Sequence, residues 1–323
     1  MRALITGASG FAGGWLTAAC AAAGDEVVAL SRRGTVPAVP ALPGGGGGSV
    51  SGAAVDLRDA SAVRAAFAAA QPEVVYHLAA LSSVGRSWAQ PSRTLSDNTV
   101  TAVNVLEALR HDAPGARVIW VSTCEVYGMP ETLPLRESAA INPANPYAVS
   151  KAAAEMLSAV YASSYGLDIV RARPFSHSGP GQQPTFLLSS LARQAAEGRR
   201  ARVKRLQIVT GNPDTRRDFT DVRDVVRAYR RLASQTPADV YNVCSGRSVS
   251  AAEQVRMLAE VIAPIEISHE IDAGRIRAHE VMDLRGDHAC LTAATGWEPE
   301  IPLRQTLADT IDWWERELES SPA

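Results

Sequence analysis

Short β-branched runs alternate with alanine-rich amphipathic stretches through the first half of the chain. The runs RALIT (2–6), EVVAL (26–30), AAVDL (53–57), VVYHLA (74–79), RVIWVS (117–122) and IVRARPF (169–175) read as buried strands. Helical patterns fall between most of them, at 11–23, 60–70, 91–111 and 146–164. Strand–helix alternation of this kind predicts an α/β fold: a doubly wound parallel sheet with helices on both faces. One stretch breaks the rhythm. Residues 34–52 hold three prolines and five consecutive glycines, which exclude a regular helix and predict a flexible surface connection where a crossover helix is usual.

Beyond residue 175 the pattern loosens. A loop at 179–186 leads into a helix at about 186–198, and a helix at 221–235 with a strand at 240–245 returns to the sheet. Helices near 250–263 and 303–319 surround a strand at 265–271, with Leu303, Leu307, Ile311 and Trp314 at core spacing. The expected division is a nucleotide-binding domain of residues 1–174 plus about 218–246, and a smaller C-terminal α/β substrate domain of 175–217 plus 247–323.

Composition narrows the class. A hydrophobic content of 46%, 20% charged residues and a net charge of −2 describe an ordinary globular protein with no electrostatic pull toward nucleic acid. No apolar run reaches the roughly 18–20 residues of a membrane span. MRALITGASG runs straight into structure, so a cytoplasmic protein is expected. Cys20, Cys124, Cys244 and Cys290 lie far apart without C-x-x-C spacing, which argues against a metal site or disulfide framework. Three of them read as small core hydrophobes, and Cys124 is set aside for its polar neighbours.

Gly7, Gly10 and Gly13 form G-x-x-G-x-x-G between the first strand and first helix, with Ser9, Phe11 and Ala12 in the same loop. The first glycine suits a tight turn, the second the approach of a pyrophosphate to backbone N–H groups, the third helix–strand packing. A Rossmann dinucleotide site is the reading. Arg32 and Arg33 end the second strand where an NAD-selective site offers an acid to the ribose. Guanidiniums there suit a 2′-phosphate and favour NADP(H), with NAD(H) as the alternative; the bland reading is two solvated loop arginines. Asp56 and Leu57 are placed to meet the adenine. Leu78, Ala79 and Ala80 lie beside the cofactor path, and His77 reads as packed.

Tyr147 and Lys151 are four apart at the start of a helix, hence on one face. An ammonium beside a phenol is expected to lower the phenol's pKa. A positioned tyrosine can then exchange a proton with a carbinol oxygen while a nicotinamide exchanges hydride at the same carbon. Thr123, at the end of the fifth strand, completes the set with a hydroxyl.

These motifs resemble the extended short-chain dehydrogenase/reductases that act on nucleotide sugars, over nearly the whole chain. More narrowly, ARPFSHSGPGQQPTF (172–186), VTGNPDTRRDFTDVRDVVRAY (209–229), VYNVCSG (240–246) and ATGWEPEIPLRQTL (294–307) resemble GDP-4-keto-6-deoxy-D-mannose reductases. The closely related GDP-mannose 4,6-dehydratases share the fold and many motifs. The resemblance implies Thr123, Tyr147 and Lys151 as the catalytic set, Tyr147 and Lys151 also touching cofactor. On the substrate side it implies Ser82, Ser176, Arg217, Arg277 and Glu280, no metal, and a homodimer built on the helices near 91–111 and 146–164. Ser176 stands where the family usually has asparagine, and Ala278 replaces a proline.

Two reactions compete. A reductase consumes NAD(P)H to reduce a carbon-4 ketone of a GDP-linked 4-keto-6-deoxyhexose and needs only Thr123, Tyr147 and Lys151. A 4,6-dehydratase also needs a base and an acid for elimination, roles open to Glu125 and Cys124. The length and the FSHSGPGQ and YNVCSG motifs favour the reductase. A non-catalytic NADP-binding sensor is the third reading, opposed by the intact Thr, Tyr and Lys positions.

Overall fold

A computed structural model describes residues 1–35, 47–234, 236–276 and 281–320. In chain order the first elements are β1 (Arg2–Thr6), α1 (Phe11–Ala22), β2 (Glu26–Ser31), β3 (Ser49–Ala54), α2 (Ala60–Ala70), β4 (Val74–His77), α3 (Val84–Ala89) and α4 (Pro91–Asp112). Then come β5 (Arg117–Val121), a 3₁₀ turn at Cys124–Tyr127, α5 (Pro146–Tyr165), β6 (Ile169–Pro174), β7 (Ser176–Ser178), α6 (Leu187–Arg200), β8 (Arg205–Thr210) and β9 (Arg216–Asp221). The last are α7 (Val222–Ala233), β10 (Val240–Val243), β11 (Ser248–Ser250), α8 (Ala251–Val261), β12 (Glu266–Ile271), β13 (Asp283–Leu284), α9 (Ala289–Thr295) and α10 (Leu303–Ser320).

Seven strands form one sheet in the order β10-β6-β5-β4-β1-β2-β3, every neighbouring pair parallel. The order reverses between β1 and β4, and a crevice opens outside the C-terminal strand ends at such a switch point. Alternate residues of the strands face opposite layers. Ala3 and Ile5 pack with α1 and α7 through Trp15, Leu16, Val225 and Tyr229. Leu4 and Trp120 pack the other way, with Phe67 of α2 and Val105, Leu106 and Leu109 of α4. Each large apolar side chain fully buried in this way contributes roughly 1.5–3 kcal/mol.

The remaining strands make two small sheets. In one, β9 is flanked by β11 and β13 and also pairs with β7; in the other, β8 pairs with β12. Leu188, Leu191, Leu258, Leu307 and Ile311 of α6, α8 and α10 pack on Ile208 of β8, with Leu303 and Trp314 at the margin, as their spacing indicated. The chain rejoins the large sheet through α7 and β10, while β9, on the boundary near residue 218, pairs with the small sheet.

The third strand differs from expectation. It spans Ser49–Ala54 rather than 53–57, so the tail of the glycine-rich stretch is strand and Asp56 lies beyond its end. Its side chains are largely exposed because β3 is the sheet's edge, which left no apolar run to read. Gly52 is needed there, since a Cβ would come within 2.2 Å of the Gly34 carbonyl oxygen. The rest of the proposed connection, 36–46, lies outside the described residues. Cys20 and Cys244 are core, whereas Cys290 is exposed near the start of α9, contrary to the expected burial.

Candidate active site

A cleft of about 880 Å³ runs along the C-terminal ends of the large sheet's strands to the start of α6. Its cofactor-side end is built from backbone. Gly7 has φ +72° and its Cβ would meet Ala79 backbone atoms at 2.9 Å, so the β1 turn lies directly on the loop after β4. At Gly13 a Cβ would stand 2.2 Å from the Gly7 carbonyl oxygen, which fixes how closely α1 packs on the turn. Gly10 is the N-cap of α1 and supplies no side-chain cap, and the first turn carries no acid. Uncapped N–H groups and the positive end of the helix dipole suit a pyrophosphate. A Cβ-free cradle and an open helix terminus therefore fit a dinucleotide.

Ser9, Phe11 and Ala12 line this end, as do Arg32, Asp56, Leu57, Leu78, Ala79 and Ala80. Arg33 is exposed and does not reach the cleft. The second guanidinium there is Arg58, whose side chain forms hydrogen bonds of 2.6–3.2 Å with Asp56 and lies 3.7 Å from Asp97. The hydrogen bonds from Arg58 push the Asp56 carboxyl down to about 2. His77 is packed, its ring 4.4 Å from that of Trp120 and its Nδ1 2.8 Å from the Thr6 hydroxyl. Burial, aided by the charge of Lys151, pushes its imidazole down to about 3, so it stays neutral.

The other end is built from side chains. β5 delivers Thr123, Cys124 and Glu125 to the cleft, and the first turns of α5 deliver Tyr147 and Lys151. α5 starts where it does because Asn145 caps it, its Oδ1 accepting from the Ala148 N–H at 2.8 Å, with Pro146 at the first helical position. The other end of the same amide donates to Glu125 Oε2 at 2.9 Å. Lys151 Nζ donates to the Val121 carbonyl at 2.6 Å. Burial draws its ammonium down to about 8, against the opposing pull of Glu155.

Tyr147 departs from the expected electrostatics. Its phenol is pushed above the usual range by burial, and the Thr123 hydroxyl, not Lys151, is the neighbour that opposes the rise. The spacing of four does place both side chains on the cleft. The ammonium, however, is directed at the strand backbone. Cys124 is 5% exposed and packs with Phe175 and Cys244. Burial and then the Glu125 charge push its thiol well above the usual range, making it a weaker acid than an ordinary cysteine.

A buried polar chain backs this end. Ser122 donates to Glu155, which pairs with Arg173 at 2.5 Å, the two side chains 2% and 5% exposed. Arg173 donates to the Tyr127 hydroxyl at 2.9 Å, and Tyr127 donates to Asn242 at 2.7 Å. Tyr127 therefore braces the turn. Gly128 closes it with φ +66°, where a Cβ would overlap the Asn142 carbonyl oxygen.

On the substrate side, Ser82 and Ser176 line the cleft. Arg217 is not among the lining residues; its guanidinium donates to the carbonyls of Arg216 and Val281 at 2.7 and 2.8 Å. Arg277 and Glu280 lie outside the described residues. Several residues here were not singled out in the sequence. Arg58 could have been, since it directly follows the Asp56–Leu57 pair, and Asn145 opens NPYAVSK as a capping residue before proline. Asn98 gives no such signal in mid-helix, yet it accepts from the Leu81 N–H at 2.7 Å and donates to Ser150 at 2.8 Å. Gln182 and Phe186, from the loop before α6, close the far wall.

The family model described as GDP-mannose 4,6 dehydratase matches residues 4–310. The GDP-6-deoxy-D-mannose reductase of Pseudomonas aeruginosa is 40% identical over 248 residues, covering 76% of this chain and 81% of that one. The UDP-glucose 4-epimerase of Streptomyces lividans is 31% identical over 329 residues, covering 97% and 94%. Among solved structures, RMD from Pseudomonas aeruginosa complexed with NADPH has a TM-score of 0.81 at 34% identity, covering 98% of this chain and all of that one. With the family's match spanning nearly every element that builds the cleft, this protein is an enzyme and belongs to the GDP-mannose 4,6 dehydratase family.

Proposed function

We propose that the protein is an NADPH-dependent reductase of the carbon-4 ketone of a GDP-linked 4-keto-6-deoxyhexose. The observation that carries this is the 40% identity to a GDP-6-deoxy-D-mannose reductase, joined to a cleft that Thr123, Tyr147 and Lys151 all line. The solved relative complexed with NADPH supports the cofactor, as does Arg32 at the end of β2. NAD(H) is the alternative.

In this reading the large-sheet lobe holds the cofactor and the smaller C-terminal lobe the sugar nucleotide. The Gly7–Gly13 loop and the open N-terminus of α1 would hold the pyrophosphate; Arg32 and Arg58 would hold the 2′-phosphate, with Asp56 and Leu57 at the adenine. The chemistry NADPH supplies when bound is a hydride to the carbonyl carbon. Tyr147 donates the proton to the carbonyl oxygen. A phenol whose pKa burial has raised is held in its protonated form, which a reduction requires. Thr123 donates a hydrogen bond to the same oxygen, and the Lys151 ammonium stabilises negative charge developing nearby. Glu125 accepts a hydrogen bond from a sugar hydroxyl. Ser82 and Ser176 line the sugar side; by resemblance Arg217 serves the nucleotide diphosphate, and Arg277 and Glu280 belong to the substrate side.

A 4,6-dehydratase is the second reading, favoured by the Glu125 carboxylate in the cleft and by the description of the family model. It would need Cys124, which is 5% exposed and packs with Phe175 and Cys244, or another acid to protonate the leaving hydroxyl. NADPH oxidation with GDP-4-keto-6-deoxymannose, and none with GDP-mannose, is the expected outcome. A 4-keto product from GDP-mannose without net cofactor change would overturn the reductase.

Among the described residues no helix is long and apolar enough to cross a membrane. We place the enzyme in the cytoplasm as a homodimer. Leu95 and Val100 of α4, with Val149, Met156 and Val160 of α5, are exposed apolar side chains on the two helices expected to pair.

A further inference from the structure

Asn145 holds two structures together with one amide. Its Oδ1 caps α5 at the Ala148 N–H, 2.8 Å away, and its Nδ2 donates to Glu125 Oε2 at 2.9 Å. Tyr147 stands two residues along the same turn, and Glu125 two residues beyond Thr123, whose hydroxyl accepts from the Glu125 N–H at 3.3 Å. The amide thus ties the β5 loop to the α5 turn at the point where the proposed proton donor and its hydroxyl partner face each other.

The chemistry of the bond is one-sided. An amide NH₂ only donates, and here it donates to a carboxylate oxygen of Glu125. It also occupies one oxygen. Among the described residues Oε1 has no protein donor, although the side chain lines the cleft. A carboxylate gripped on one oxygen and open on the other is an acceptor of fixed direction.

We propose that Asn145 is a positioning residue: it fixes the Glu125 carboxylate with Oε1 directed to a substrate hydroxyl, and sets the distance between Glu125 and Tyr147. The role rests on the reading of Glu125 as a substrate contact, and it makes a helix cap part of sugar recognition. Aspartate in its place would cap α5 as well as asparagine does. It would, however, replace the donor with a second carboxylate against Glu125, and two such groups at hydrogen-bond distance tend to share a proton.

The test compares Asn145→Asp, Asn145→Ser and the double variant Asn145→Asp/Glu125→Gln in the full-length enzyme, following kcat/KM for the keto sugar and Tm from pH 5 to 9. Serine keeps the cap but is too short to span from the helix N–H to Glu125, and should cost about threefold in kcat/KM at every pH, through KM. In Asn145→Asp, the protonated acid restores the donor at low pH; as pH rises the pair becomes doubly charged. Its kcat/KM should then fall about tenfold further, and its Tm should drop below that of the serine variant over the same range. In the double variant the introduced glutamine amide donates to the introduced aspartate, so Tm should recover and lose its pH dependence while kcat/KM stays low for lack of the carboxylate. Profiles of Asn145→Asp parallel to those of Asn145→Ser in both readouts would overturn the proposal, leaving Asn145 a cap alone. A pH-dependent Tm with a flat kcat/KM would overturn it too, because the carboxylate pair would exist without serving substrate. The Tm readout needs no turnover, so failure of the reductase reading itself would leave the Glu125–Asn145 coupling measurable and separate.

Discussion

At the Gly7–Gly13 end of the cleft the chain presents backbone: a left-handed glycine against Ala79, a glycine N-cap and an open helix terminus. At the Tyr147 end it presents side chains, and behind them a sealed chain of polar groups from Ser122 to Asn242. One end depends on what is missing, since any Cβ fills the space. The other depends on pairing, since buried charge is tolerable only with a partner. A cofactor common to many reactions can be gripped by backbone, whereas proton transfer needs groups whose protonation is set by their surroundings.

The largest effect should come from breaking the side-chain end at its centre. Tyr147→Phe should lower kcat by about 100- to 10,000-fold with NADPH binding intact, read by stopped-flow turnover and fluorescence titration. Retained turnover would remove Tyr147 from proton transfer. Next in size, Glu155→Ala strands Arg173 in the interior and should cost about 3–5 kcal/mol of stability, measured by denaturant unfolding. A loss below about 1 kcal/mol would mean that the network adds little to the end it backs.

Breaking the backbone end should act on binding. Gly13→Ala drives a Cβ into the Gly7 carbonyl and should cost roughly 1–3 kcal/mol in NADPH affinity, with the Tyr147 corner intact. Calorimetric titration reads this directly, and unchanged affinity would show that the turn relaxes freely. A smaller effect sharpens the contrast. The Lys151 ammonium is lost as pH rises through about 8, well below the usual lysine range, so kcat should fall on the alkaline side with a midpoint near that value. NADPH affinity at the glycine loop should not follow it.

The strand–helix rhythm, the glycine loop and the Tyr147–Lys151 pair were legible because each is a local pattern with a local cause. The edge strand β3 was not, for its exposed serines and glycine resemble the loop before it. Nor were β8 and β9, RLQIVT and RRDFTD, whose polar residues obscure the alternation and whose partners lie far along the chain. In the site, the spacing of Tyr147 and Lys151 was readable, but the balance of burial against charge on the phenol was not, because it depends on depth. One further signal lay in the usage of basic residues. Lys151 and Lys204 are the only lysines among 32 lysines and arginines, and Lys151 is the buried one at the cleft. Arginine could replace neither its compact charge nor its capacity to lose a proton there.

In the proposed reaction, hydride from added NADPH ends on carbon 4 of the sugar while Tyr147 supplies the proton. The direct measurement is turnover of GDP-4-keto-6-deoxymannose with NADPH deuterated at the transferring position of the nicotinamide, the product being read by NMR. One deuterium per sugar is expected, at carbon 4, and no label when the Tyr147→Phe variant replaces the enzyme. An unlabelled product from the unaltered enzyme, or conversion of GDP-mannose to a 4-keto sugar with the deuterium still on the cofactor, would contradict it.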